Sequence, residues 1–71
     1  MKDFLTHDHP YFQPGSVWIR ADGTKHETTI RRVEKFGEGK FDYEVFHGHP
    51  SGDREYTKDI WNFQVRYTPK I

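Results

Sequence analysis

Between residues 40 and 47 apolar and charged side chains alternate: Phe41, Tyr43 and Val45 are interleaved with Asp42 and Glu44. A period of two puts successive side chains on opposite faces of an extended chain. Such a segment belongs in a sheet with one buried and one wet face. Elsewhere the apolar residues come in short runs broken by Gly, Pro and Asp. No stretch long enough for a regular helix shows apolar residues spaced at 3.6. A mostly β fold is the expectation.

With 71 residues the chain has room for one domain. A chain this short must build its core from few side chains. Hydrophobic residues make up 32% of it and aromatic residues 17%, so rings supply over half of the available apolar material. Each buried ring removes roughly 150–250 Å² from water. That argues for folding despite a charged fraction of 31%. There is no cysteine, which excludes disulfides, thiolate metal sites and cysteine nucleophiles. Residues 1–8 hold no apolar stretch of signal-peptide or membrane-spanning length, so the expectation is a cytoplasmic protein with no membrane partner.

The order of elements follows from local chemistry. Residues 1–14 read as an extended arm, with Pro10 and Pro14 opposing helix and a short helical turn near residues 3–7. Its apolar members are Phe4, Leu5, Tyr11 and Phe12. Residues 16–20 form a first strand, and Asp22-Gly23 signals a tight hairpin. A second strand covers residues 25–35. Thr28 and Ile30 share one parity and Val33 the other, which requires a bulge near Arg31-Arg32. Residues 36–39 turn into the third strand at 40–47. After a loop at 48–53 comes a short fourth strand at 54–57. Residues 57–62 read as a single helical or 3₁₀ turn with Thr57 as N-cap. A fifth strand at 63–67 and a tail at 68–71 complete the chain. The expected core is Val17, Ile19, Ile30, Val33, Phe41, Tyr43, Val45, Tyr56, Ile60, Phe63 and Val65.

Three stretches carry a resemblance: Pro14-Gly15-Ser16-Val17-Trp18 entering the first strand, Asp22-Gly23 at the hairpin, and Asp59-Ile60-Trp61-Asn62-Phe63 before the last strand. With the order of strands, they resemble the SH3-like barrel superfold over residues 15–67. Tudor-like and KOW-like modules and small barrel proteins of bacteria and phages have similar order. The resemblance implies an all-β, five-stranded SH3-like barrel with an N-terminal arm (1–14) and one 3₁₀ turn before the last strand. It implies a binding role, and this superfold hosts many. The acidic, aromatic-rich first loop of peptide-binding SH3 domains has no counterpart here, which argues against polyproline recognition.

Candidate binding residues are Trp18, Arg20, Arg31, Arg32, Phe46 and Trp61. The parity of Trp18 and Phe46 sets them opposite the expected core residues, where rings on adjacent strands could form a platform. The alternative is that Tyr11 and Phe12 of the arm cover them. Arg20, Lys25, Arg31, Arg32 and Lys35 cluster on the first two strands, interleaved with Asp22, Glu27 and Glu34. They form either a small nucleic-acid patch or an ordinary face of cross-strand ion pairs. His7-x-His9 and His47-x-His49 each set two imidazoles two residues apart, a spacing open to Zn²⁺. Their positions in proline-flanked loops favour solvated histidines and no metal.

No G-x-S-x-G or H-E-x-x-H spacing occurs, and a barrel this small has no interior for a substrate. The chain is therefore expected to be neither an enzyme nor a cofactor protein. Its formal charge is zero with neutral histidines, without the basic excess of a dedicated nucleic-acid binder. The first expectation is a small binding protein, a phage or prophage accessory protein that engages and modulates a host protein. The alternative is a nucleic-acid-binding barrel using Arg20, Arg31, Arg32 and Trp18. A structural or self-assembling subunit is a third reading. A monomer or weak homodimer is expected.

Overall fold

The computed structural model describes residues 3–71. A 3₁₀ turn at Pro10–Phe12 precedes five strands: β1 (Val17–Arg20), β2 (Glu27–Lys35), β3 (Tyr43–Gly48), β4 (Glu55–Thr57) and β5 (Tyr67–Pro69). One short helix, α1 (Ile60–Arg66), lies between β4 and β5. The strands form a single antiparallel sheet in the order β4-β3-β2-β1-β5.

The bulge lies where parity requires it. Ile30 pairs with His47 and Arg32 with Phe46, leaving Arg31 as the extra residue of β2. Thr28 and Ile30 before it are buried, and Val33 after it packs against the core. Phe63 is central to that core. Its ring centroid lies 4.9 Å from Trp18, 4.9 Å from His47 and 4.8 Å from Tyr67. Phe12, Ile30, Val45 and Ile60 complete the buried apolar set.

Trp18 departs from expectation. It is fully buried, whereas Val17 and Ile19 are only half-buried. Three consecutive apolar residues give no alternation by which to choose a face. The indole wins because its area is largest and its N–H finds a partner: Nε1 donates to the Tyr11 carbonyl at 2.7 Å. The arm also supplies Phe12, whose ring lies 4.9 Å from Trp18. The arm thus covers this tryptophan, as one of the two sequence readings has it.

The last segment is also different. Residues 60–66 are α-helical rather than a 3₁₀ turn leading into a strand, and the strand is delayed to Tyr67. The N-cap is Asp59, not Thr57: its Oδ1 accepts the Asn62 N–H at 2.7 Å. Ile60, Phe63, Gln64 and Tyr67 form a buried stripe at helical spacing. A glutamine within that stripe hid it from hydropathy. Gln64 is buried because its amide clamps the arm: Oε1 accepts the Leu5 N–H at 2.6 Å and Nε2 donates to the Leu5 carbonyl at 2.8 Å. Val65 then faces solvent rather than the core, as does Tyr56.

The first connection is longer than a two-residue hairpin. It spans residues 21–26 and uses left-handed backbone at Gly23 (φ 89°) and Lys25 (φ 60°). The arm's helical turn falls at Pro10–Phe12 rather than near residues 3–7. The third strand begins at Tyr43, because the Asp42 carboxylate turns inward on the preceding loop and accepts the Gly39 N–H at 2.9 Å.

Gly48 ends β3 where β4 approaches most closely. A Cβ there would lie 1.8 Å from the Asp53 carbonyl oxygen. Backbone cannot give way as a side chain can, so Gly48→Ala is expected to cost about 2 kcal/mol or more. Urea unfolding of the variant checks this. Unchanged stability would mean that the 48–54 loop closes differently.

Candidate functional site

The six sequence-flagged residues do not share one surface. Trp18 is inside the core. Arg20 lies at the loop end of β1, where it pairs with Asp22 at 2.9 Å and sits 5.7 Å from the Tyr67 ring. Thr24, through its N–H and hydroxyl, and then Arg20 hold the Asp22 carboxyl down at about 2. Trp61 is half-exposed on α1, packed on Phe4 at 4.2 Å and Phe41 at 5.0 Å. Only Arg32 and Phe46 touch, on the outer face of β2 and β3, with exposed Arg31 beside them in a shallow cleft with Thr29, Gly48, His49 and Pro50.

That face is ordered by register. Arg32 on β2, Phe46 on β3 and Tyr56 on β4 stand directly opposite one another across the three strands. The Arg32 guanidinium lies 4.0 Å over the Phe46 ring and its Nε donates to Glu34 at 2.9 Å. The Phe46 and Tyr56 rings are 5.3 Å apart and tilted by 55°. The Tyr56 hydroxyl donates to Glu44, and that bond raises the phenol's pKa above its ordinary value. Phe36, at the end of β2, is more than half exposed and shares a shallow cleft with Glu44, Tyr56, Lys58 and Asp59.

Tyr56 and Phe36 are the members that sequence reasoning missed. Tyr56 looked like core because a three-residue strand cannot set its own parity. The inward position of β4 goes instead to Thr57, whose hydroxyl has a buried partner. That partner is His47, on the other face of the sheet. Thr28 Oγ1 and Thr57 Oγ1 each lie 2.9 Å from one of its ring nitrogens. The neutral imidazole donates to one hydroxyl and accepts from the other. Burial pushes its pKa down from 6.5 to about 4.

Three of the other histidines are engaged elsewhere, one by a remote ring and two within their own loops. His7 stacks on Tyr43 at 4.0 Å, His9 Nδ1 accepts the Tyr11 N–H at 3.2 Å, and His49 Nδ1 accepts the Ser51 N–H at 3.1 Å. The His-x-His pairs therefore diverge: His47 turns into the core while His49 closes its loop. Among the described residues no three His, Cys, Asp or Glu side chains are grouped to hold a metal ion. Among them, too, no helix is long and apolar enough to cross a membrane.

The outer face is thus a strip of rings framed by arginine, lysine and glutamate. Its chemistry suits non-covalent docking. No family model, no curated protein and no solved structure matches the chain, so the site rests on its own geometry.

Proposed function

We propose that this protein is a non-enzymatic binding module of SH3-like architecture that docks a partner protein on the outer face of β2, β3 and β4. The strand order, with β1 between β2 and β5 and a helical segment before β5, supports the architecture. The observation that carries the function is the solvent-facing row Arg32–Phe46–Tyr56, extended by Phe36. Arginine and tyrosine are enriched among residues that dominate protein interfaces. The buried imidazole, His47, is committed to two core hydroxyls, which supports binding over catalysis. In the setting that the resemblance implies, a phage or prophage accessory protein, the partner is a host protein.

Nucleic-acid binding ranks second. Stacking a base needs a free ring face, and Arg32 already covers a face of Phe46.

Affinity capture from a bacterial lysate, with and without nuclease, tests the reading against a Phe36→Ser, Tyr56→Ser double variant. Both side chains are over half exposed, so the variant should lose only about 1 kcal/mol of stability. Capture by the parent, insensitive to nuclease and lost in the double variant, is the expected result. Capture that survives the double variant, or that nuclease abolishes, would overturn it.

A further inference from the structure

The bulge in β2 does more than restore the core's parity. Ile30 and Val33 both face inward, so the two residues between them are left to the other side. Arg31 and Arg32 are accordingly both exposed, although they are adjacent in sequence. In a regular strand one of them would point into the core.

Two more cations join them. His47 pairs with Glu55, so the next step of the same register sets Arg54 beside Gly48, in the parity of Tyr56. Lys58 lines the shallow cleft with Phe36 and Tyr56. Of the acids on this face, Glu34 pairs with Arg32, Glu44 accepts the Tyr56 hydroxyl, and Asp59, which lines the cleft with Lys58, caps α1 by accepting the Asn62 N–H. Among the described residues no carboxylate pairs with Arg31, Arg54 or Lys58. The acids Asp53 and Glu55 instead line a separate cleft with Arg20, Asp22 and Glu27. Although the chain has zero formal charge, three cations without a carboxylate partner among the described residues, Arg31, Arg54 and Lys58, border the aromatic strip.

We infer that the segment docking on this face is an acidic stretch of a partner protein. Its carboxylates pair with Arg31, Arg54 and Lys58, and an apolar or aromatic side chain between them lies against Tyr56 and Phe36. Arginine forks match carboxylates in bidentate geometry, which makes such pairs the strong ones. The inference rests on the proposed docking function and adds the partner's chemistry. A protein segment is favoured over nucleic acid because Arg32 covers a face of Phe46 that a base would need for stacking.

The test is a titration of the intact ¹⁵N-labelled protein, followed by NMR, with three synthetic peptides of about ten residues. They alternate Phe with Glu, with Gln or with Lys. A single-stranded oligo-dT is the fourth probe. The Glu peptide is expected to shift the amides of Arg31, Arg32, Phe46 and Tyr56, and to bind about tenfold more weakly at high salt than at low salt. The Arg31→Gln, Arg54→Gln double variant should also lose about tenfold. Lys25→Gln, in the connection between β1 and β2, should lose nothing. If the Gln peptide shifts the same amides equally, the face docks a partner without reading charge; this inference then fails and the docking function stands. If no peptide shifts this face, both fail. If the oligonucleotide shifts it and the Glu peptide does not, the ligand is nucleic acid and the inference is overturned.

Discussion

Trp18→Ala is expected to cost roughly 3–5 kcal/mol and to leave the domain largely unfolded at room temperature. The indole is fully buried and meets Phe12 and Phe63, each with centroids 4.9 Å away. Its removal opens a large cavity and orphans the Tyr11 carbonyl that accepts the indole N–H. A two-state domain of this size holds only about 4–10 kcal/mol in total, from the usual 0.05–0.15 kcal/mol per residue. Val17→Ala, next to it, should cost about 1 kcal/mol, because Val17 is only half-buried. Urea unfolding of both variants checks the pair. Were Val17→Ala the more damaging, β1 would present its other face to the core and the arm would not lie where it does.

The second large effect is on pH dependence. His47 keeps a pKa of about 4 in the folded protein against an ordinary 6.5, because burial opposes its charging. The unfolded chain therefore binds a proton at His47 between pH 6.5 and 4 that the folded chain refuses. Stability rises with pH wherever the unfolded state holds more protons. The His47 contribution is thus complete above about pH 7 and is lost as the pH falls toward 4. The total loss is about 3 kcal/mol, at 1.36 kcal/mol per unit. Asp22, held near 2, adds its own loss only at lower pH, as its carboxyl protonates.

Chemical unfolding at a series of pH values should show the slope in the parent. His47→Gln should be less stable at neutral pH, because the two threonine hydroxyls lose their shared partner, and its curve between pH 7 and 4 should be flatter. An equal slope in parent and variant would assign the acid sensitivity to other groups. The protonated His47 would need to break at least one of its bonds to Thr28 or Thr57 as acceptor, or turn both hydroxyls into acceptors. The edge-on contacts of its ring with the stacked pair Phe63 and Tyr67 leave little room for it to move.

Much of the β architecture is legible in local pattern. The alternation of Phe41, Tyr43 and Val45 marks β3, and the conflict of parity between Ile30 and Val33 locates the bulge at Arg31. The helix is not legible in hydropathy, because one of its buried residues is Gln64. That residue is polar to a local reading and earns its burial through Leu5, 59 positions away. The candidate site divides in the same way. Arg31, Arg32 and Phe46 are visible as outward residues of two strands. Tyr56 and Phe36 are not, since each lies in or beside a segment too short to reveal its own parity.

Sequence alone determined that this is a small, cysteine-free, mostly β chain whose apolar content is largely aromatic, and that β2 must slip by one residue. Those properties follow from composition and from the two-residue period of extended chain, which act locally. Only the tertiary structure decided which ring of β1 is buried, where the helix replaces a strand, and which cations share the outer face with Phe46 and Tyr56. Each of those depends on a partner remote in sequence: Tyr11 for Trp18, Leu5 for Gln64, His47 for Thr57. Burial goes to the side chain whose polar atoms can be satisfied there, and that can be known only when the partner is in place.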